Sequence, residues 1–140
     1  MIMASALLGI GTPAAAQGWS LPTREMPMMP AMAELPGSWQ GSAGAWAGAA
    51  ARLAGVSAGA IRGAGEAASG SARAAFVRFT SEARPVATWT DRNGDGRADM
   101  VELFRGGIMA VQVVDADYDG RADAIRHFDA SGKPLRTEEV

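Results

Sequence analysis

Two aspartate-rich stretches in the last third of the chain carry side chains that can bind a metal ion. The first covers residues 91–99 and the second covers residues 115–123, so they are offset by 24 residues. Each places carboxylate or amide oxygens at alternate positions and ends in the same five residues, Asp-Gly-Arg-Ala-Asp. Carboxylates this close together repel one another unless a cation lies between them. The spacing therefore indicates a cation-binding loop that occurs twice.

The first stretch matches the ligand positions of a twelve-residue calcium loop. Such a loop takes side-chain oxygens from positions 1, 3 and 5, a glycine at 6, a backbone carbonyl at 7, a group at 9 that often acts through water, and a bidentate glutamate at 12. The corresponding residues are Asp91, Asn93, Asp95, Gly96, Arg97, Asp99 and Glu102. Calcium takes six to eight oxygens, whereas magnesium prefers six in a tighter shell. The pattern therefore predicts calcium as the bound ion.

The second stretch follows the same pattern as far as position 9. Its predicted ligands are Asp115, Asp117, Asp119, Arg121 through its backbone carbonyl, and Asp123. Position 12 is Arg126, which has no atom that can ligate a cation. Asp129 or Glu102 closes the shell, Asp123 binds directly, or the site is weaker; the sequence leaves these alternatives open. It predicts two loops, of which the first is self-sufficient.

On these residues, the segment 91–123 resembles the EF-hand-type DxDxDG calcium loops of exported bacterial proteins. Dockerin modules and thrombospondin type 3 repeats use related loops. The resemblance covers about 40 of the 140 residues and implies calcium binding. The sequence departs from a helix–loop–helix unit, because Pro85 shortens any entering helix and residues 86–90 are poor helix formers. A structural calcium staple is therefore expected rather than a calcium switch.

Residues 86–140 are predicted to form a domain of two repeats, each a calcium loop that runs into a β-hairpin. β-branched residues precede both loops, and Gly106-Gly107 and Ser131-Gly132 stand where the hairpins must turn. The alternative is a helical EF-hand pair.

Residues 41–83 are rich in alanine and glycine and are predicted to be helical. Small residues recur at every fourth position from residue 43 to residue 75, and Gly55, Gly59 and Gly63 form the centre of this series. On a helix, this spacing resembles a glycine zipper, which another backbone can approach closely. Formation of a homo-oligomer, or docking on a protein partner or a membrane through residues 43–75, is therefore the alternative function. Together with the hairpin repeat, this segment predicts an α+β fold.

The first 40 residues are predicted to be largely irregular. Residues 1–16 combine an apolar run with a small-residue cleavage site at Ala14-Ala15-Ala16, as a signal peptide does. Residues 17–40 are rich in proline and methionine and read as a linker. The signal predicts a periplasmic or secreted protein.

Several classes of function are disfavoured by composition. The net charge of −2 argues against a nucleic-acid partner. The absence of cysteine excludes disulfides, thiol catalysis and cysteine-based zinc sites. The only histidine, His127, is expected to be a half-exposed strand residue and not a catalytic base. The sequence therefore predicts an exported, non-enzymatic protein in which calcium acts mainly as a structural staple.

Overall fold

The computed structural model describes residues 19–35 and 44–140, and its main element is one seven-stranded antiparallel sheet. Strands adjacent in sequence are adjacent in the sheet, in the order β1 to β7. The strands are β1 (Arg62–Ala67), β2 (Ala74–Ser81), β3 (Arg84–Thr90), β4 (Met100–Arg105), β5 (Ile108–Val114), β6 (Ala124–Phe128) and β7 (Pro134–Glu139). The described residues also contain one α-helix, α1 (Ala45–Ala54), and two 3₁₀ turns, Met32–Glu34 and Ala58–Ala60.

Three consecutive hairpins, β2–β3, β4–β5 and β6–β7, repeat with the 24-residue period of the aspartate loops. Val77, Val101 and Ile125 occupy the same position in each hairpin, and all three are buried on the inner face of the sheet. Side chains alternate between the two faces of a strand, so a repeat of even length returns each position to the same face. The repeat therefore builds one continuous apolar face.

This apolar face packs against helix α1. The helix lies over β3 and β4 and buries Trp46 and Leu53 together with most of its alanines. Below it, the rings of Phe79 and Trp89 meet edge to face, with centroids 4.9 Å apart. Small alanine side chains let the helix approach the sheet closely, while the aromatic residues supply most of the core volume.

The segment 19–35, called the strap below, crosses the ends of the hairpins where the aspartate loops lie. Its side chains Met26, Met29 and Leu35 belong to the core and are between 0% and 6% exposed. Residues predicted to form an irregular linker are thus docked through apolar side chains at nearly regular intervals of three.

The predicted α+β fold and its helical EF-hand alternative are both wrong. The chain forms an antiparallel sheet with one short helix, and strands flank both aspartate loops. Helix α1 ends at Gly55, whose left-handed conformation (φ 74°) caps it. Gly59 then lies in a 3₁₀ turn and Gly63 in β1, so the small residues between 43 and 75 do not share one helix face.

Glycine in β1 serves close packing instead of helix association. A Cβ atom on Gly65 would lie 2.6 Å from the carbonyl oxygen of Phe76, and one on Gly63 would lie 2.9 Å from a methyl group of Leu35. Residues 1–18 and 36–43 lie outside the described residues, and so do the predicted signal peptide and part of the predicted linker. No helix within the described ranges is long and apolar enough to cross a membrane.

Two glycine-to-alanine changes separate this fold from the helical prediction. Gly65→Ala is expected to lower the free energy of unfolding by about 1–3 kcal/mol, because the new methyl group collides with backbone. Gly48→Ala, inside α1, is expected to raise it by about 0.5–1 kcal/mol, because its nearest neighbour is the mobile end of Arg52. Urea denaturation measures both values. If both changes stabilise the protein, residue 65 is helical and the sheet is incorrect.

Candidate metal centre

The two aspartate stretches form loops at the same end of the sheet. The first loop (residues 91–99) joins β3 to β4, and the second loop (residues 115–123) joins β5 to β6. Each is closed at its base by a backbone hydrogen bond, from the Asp99 amide to Thr90 and from the Asp123 amide to Val114, both 2.8 Å. The Asp115 amide also donates to the Asp99 carbonyl (2.8 Å), which ties the loops side by side.

The first aspartate of each loop organises the turn that follows it. In the first loop, the Asp91 carboxylate accepts hydrogen bonds from the amides of Gly94 (2.8 Å) and Gly96 (2.9 Å). In the second, the Asp115 carboxylate accepts one from the Gly120 amide at 2.8 Å. Short polar side chains that bind backbone amides a few residues on are a common way to hold a turn. The loop sequence therefore specifies its own shape.

Two positions in these turns require a left-handed backbone. Gly96 (φ 86°) and Gly120 (φ 89°) take the position that a calcium loop reserves for glycine. Gly94 (φ 79°) is matched in the second loop by Tyr118 (φ 60°), a conformation that side chains other than glycine adopt at a cost. The Tyr118 ring lies beneath the Arg92 guanidinium, 5.5 Å from its carbon, which packs the two loops together.

Four carboxylates of the second loop converge. Asp115, Asp117, Asp119 and Asp123 each offer an oxygen, and these four oxygens all lie within 4.8 Å of one another. Asp115 is buried at the base of the group, while Asp117 and Asp119 face solvent. Within residues 19–35 and 44–140, this is the group of acidic side chains whose geometry can hold a metal ion.

The first loop does not form an equivalent group because an arginine occupies its last carboxylate. Asp99 accepts hydrogen bonds from the Arg92 amide and from Arg92 Nε, each at 2.6 Å. The carboxylate also holds the pKa of the Arg92 guanidinium above its ordinary value, chiefly through the side-chain hydrogen bond. The corresponding position in the second loop is Ala116, which leaves Asp123 without a guanidinium partner. A positive side chain thus stands in the first loop where the second has room for a cation.

The structure places the metal-compatible group in the second loop, whereas the sequence pattern favoured the first. Of the predicted first-loop ligands, Asn93 and Asp95 bind backbone amides within the turn: the Asp95 amide donates to Asn93 (3.3 Å) and the Arg97 amide to Asp95 (2.9 Å). The Arg121 amide likewise donates to Asp119 at 2.9 Å. Neither loop draws a ligand from position 12.

Glu102 lies in β4 on the outer face of the sheet. It accepts hydrogen bonds from Thr88 Oγ1 (2.8 Å) and Gln112 Nε2 (2.9 Å), and Arg126 donates to Gln112 (2.8 Å). In a helical EF-hand, the helix after the loop turns position 12 back toward the ion. Here the chain leaves the loop as a strand, so Glu102 and Arg126 extend into a polar row across the sheet.

Asp129, the other residue considered for the open shell, lies in the turn between β6 and β7. Its carboxylate accepts hydrogen bonds from the amides of Ser131 (2.8 Å) and Lys133 (2.9 Å). Those bonds, with the Ser131 hydroxyl first among them, lower the pKa of Asp129. It is separated from the second loop by the length of β6 and holds its own turn.

The carboxylates of the second loop have divergent acidities. Burial raises the pKa of Asp115, because desolvation disfavours the charged form. The pKa of Asp119 is lowered, mainly by the hydrogen bond that it accepts from the Arg121 amide. A cation bound between them would compensate the buried charge on Asp115 and use the ready charge on Asp119.

A third loop of related design, residues 67–75, was missed from the sequence. Gly70 (φ 78°) stands 24 residues before Gly94, and Arg73-Ala74 repeats the Arg-Ala pair of the other two loops. The aspartate positions are filled by alanine and serine, so no acidic pattern marked it. The arginine and alanine at the same offset were the available signal.

His127 is fully buried, contrary to the half-exposed position expected for it. It takes the inward position that Phe79 and Leu103 hold in the preceding hairpins. Its Nε2 atom lies 3.1 Å from an oxygen of Glu138 on the edge strand. The absence of enzymatic activity stays a prediction.

Comparison with known proteins returned no matching family model, no similar curated protein and no similar solved structure.

Exchanging single oxygens distinguishes the two candidate ligand sets. Asp117→Asn is expected to weaken calcium binding by about tenfold, because it removes one charge from the converging group. Glu102→Gln is expected to leave calcium affinity unchanged, because that side chain lies in the polar row of the sheet. Titration followed by backbone amide NMR shifts measures both. Loss of binding in the Glu102 variant alone would place the ion in the first loop.

Proposed function

We propose that this chain is a non-enzymatic calcium-binding protein in which one ion, held by the second loop, staples the sheet. The observation that carries the proposal is the convergence of four carboxylates within 4.8 Å. The donor set contains oxygen only, which suits a hard cation and disfavours zinc or copper. Calcium is favoured over magnesium because the loop offers many protein oxygens, whereas magnesium retains most of its waters.

The position of the loop gives the ion a structural role. The second loop joins β5 to β6 and is tied to the first loop by the bond between Asp115 and Asp99. An ion there neutralises four like charges and fixes the connection between two hairpins. A ligand that binds only the folded state adds RT ln(1 + [L]/Kd), about 2.7 kcal/mol at a hundredfold excess over Kd.

Export is part of the proposal. Extracellular calcium modules bind at roughly 10⁻⁴–10⁻³ M, which matches the free calcium outside cells. A signal-like segment at residues 1–16 and a modest set of exposed ligands both suit a site of that affinity in a periplasmic or secreted protein.

Calcium titration of the chelator-treated chain tests the proposal directly. We expect one ion per chain, amide shifts that begin in residues 115–123, and a higher urea midpoint at saturation. Magnesium at equal concentration is the matched control and is expected to bind more weakly. A chain whose spectrum and urea midpoint are unchanged by calcium would refute the proposed function.

Moving the arginine between loops tests why only one of them binds. Ala116→Arg is expected to weaken calcium binding by at least about tenfold, because the guanidinium can pair with Asp123 as Arg92 pairs with Asp99. Ala130→Arg is the matched control, since it adds the same charge at another exposed alanine beyond the far end of β6. Equal weakening in both variants would show a general charge effect.

The reverse change examines the first loop. Arg92→Ala is expected to release Asp99 and to raise the stoichiometry from one ion toward two, because Asp91, Asn93 and Asp95 remain in place. NMR shifts in residues 91–99 at rising calcium concentration measure the new site. If those shifts do not appear, the arginine is not what keeps the first loop from binding.

A further inference from the structure

The strap contacts all three loops in the same way, one triplet of residues to each loop. The amides of Met26, Met29 and Met32 donate to the carbonyls of Gly120 (2.9 Å), Gly96 (2.8 Å) and Ala72 (2.9 Å). The carbonyls of Arg24, Pro27 and Pro30 accept from the amides of Ala122 (2.8 Å), Ala98 (2.8 Å) and Ala74 (3.0 Å). The strap thus advances three residues while the loops advance 24.

This match has a simple geometric origin. Neighbouring strands lie about 4.8 Å apart, so successive hairpins repeat about every 9.6 Å across the sheet. A polyproline II segment rises about 3.1 Å per residue, and three residues span about 9.3 Å. Pro27 and Pro30 favour that conformation, and they stand at triplet positions whose amide is not used. One triplet therefore fits one hairpin.

The triplet Arg24–Met26 lies against the cation group itself. Gly120 and Ala122, which bind it, stand between the candidate ligands Asp119 and Asp123. Met26 is fully buried, and its carbonyl accepts a hydrogen bond from Arg97 Nη1 at 2.6 Å. The carbonyl of Glu25 accepts one from the Trp46 indole at 3.0 Å, which connects the triplet to helix α1.

We propose that the cation site and this end of the strap are coupled, so that binding of the ion in the second loop locks Arg24–Met26 against the sheet. The inference rests on the proposed function, since it names what regulates and is regulated by that site. Without an ion, four carboxylates within 4.8 Å repel one another and push the segment 119–123 outward. The two strap hydrogen bonds belong to that same segment and weaken with it.

Coupling of this kind is reciprocal. If the ion favours the docked strap, the docked strap favours the ion by the same factor. The other triplets provide internal references, because the loop at residues 67–75 has no carboxylate and the first loop holds Arg92. The effect is therefore local to one end of the strap.

Two buried methionines test the coupling from the strap side. Met26→Ala and Met29→Ala remove the same side chain from fully buried positions one triplet apart. Met26→Ala is expected to weaken calcium binding at least about fivefold, the lower end of ordinary coupling between sites. Met29→Ala is expected to lower the urea midpoint similarly and to change calcium affinity less than twofold. Equal weakening in both variants, or none in either, would overturn the coupling.

Hydrogen exchange of the unmodified chain tests the coupling without any substitution. Saturating calcium is expected to slow exchange at the Met26 and Ala122 amides more than at the Met32 and Ala74 amides. Uniform slowing at all four would show a global effect and overturn the inference. Calcium binding with no change at Met26 and Ala122 would also overturn it while leaving the proposed function intact. A chain that binds no calcium would refute the proposed function first.

Discussion

The hydrogen bond from the Gly120 amide to the Asp115 carboxylate holds the turn on which the rest of the site depends. It bends the chain so that Asp117, Asp119 and Asp123 converge on Asp115. The same turn exposes the Gly120 carbonyl and the Ala122 amide toward the strap. A side chain that is partly desolvated and charged therefore shapes both the cation group and the strap contact. Its burial raises its own pKa, and that is the electrostatic cost which a bound cation would offset.

The three loops solve one electrostatic problem in three ways. The loop at residues 67–75 has alanine and serine at the aspartate positions and carries no charge to balance. The first loop balances Asp99 with Arg92. The second loop has four carboxylates and Ala116 where the first has the arginine. An internal guanidinium is always present, whereas a cation must be taken from solution, so only the second loop can respond to the surroundings.

The sequence predicted the features that are local and failed on those that depend on distant residues. The loops were visible because their ligands and glycines lie within nine residues of one another. Glu102 was assigned to the shell by analogy with a loop that exits into a helix, and the strand exit carries it to Thr88 and Gln112 instead. The pairing of Arg92 with Asp99 was not considered, although both residues lie in the recognised pattern.

The helical prediction for residues 41–83 failed for a related reason. Alanine and glycine carry little strand propensity, so periodicity alone favoured a helix. What decides β1 is that Gly63 and Gly65 leave room for Leu35 and for the backbone of β2, a constraint supplied by about thirty residues of intervening chain. The strap was read as a linker because its three-residue period has meaning only against a sheet that repeats at the same distance.

The loop at residues 67–75 also limits what an ion can contribute. It keeps the left-handed turn at Gly70 and both strap hydrogen bonds with no carboxylate at all. The loop form therefore follows from the hairpin repeat and the strap, and not from a cation. A cation that enters the second loop meets a largely formed site and does not have to fold the domain. This argues for a calcium staple on an already folded sheet, in contrast to small domains that are unfolded until metal binds.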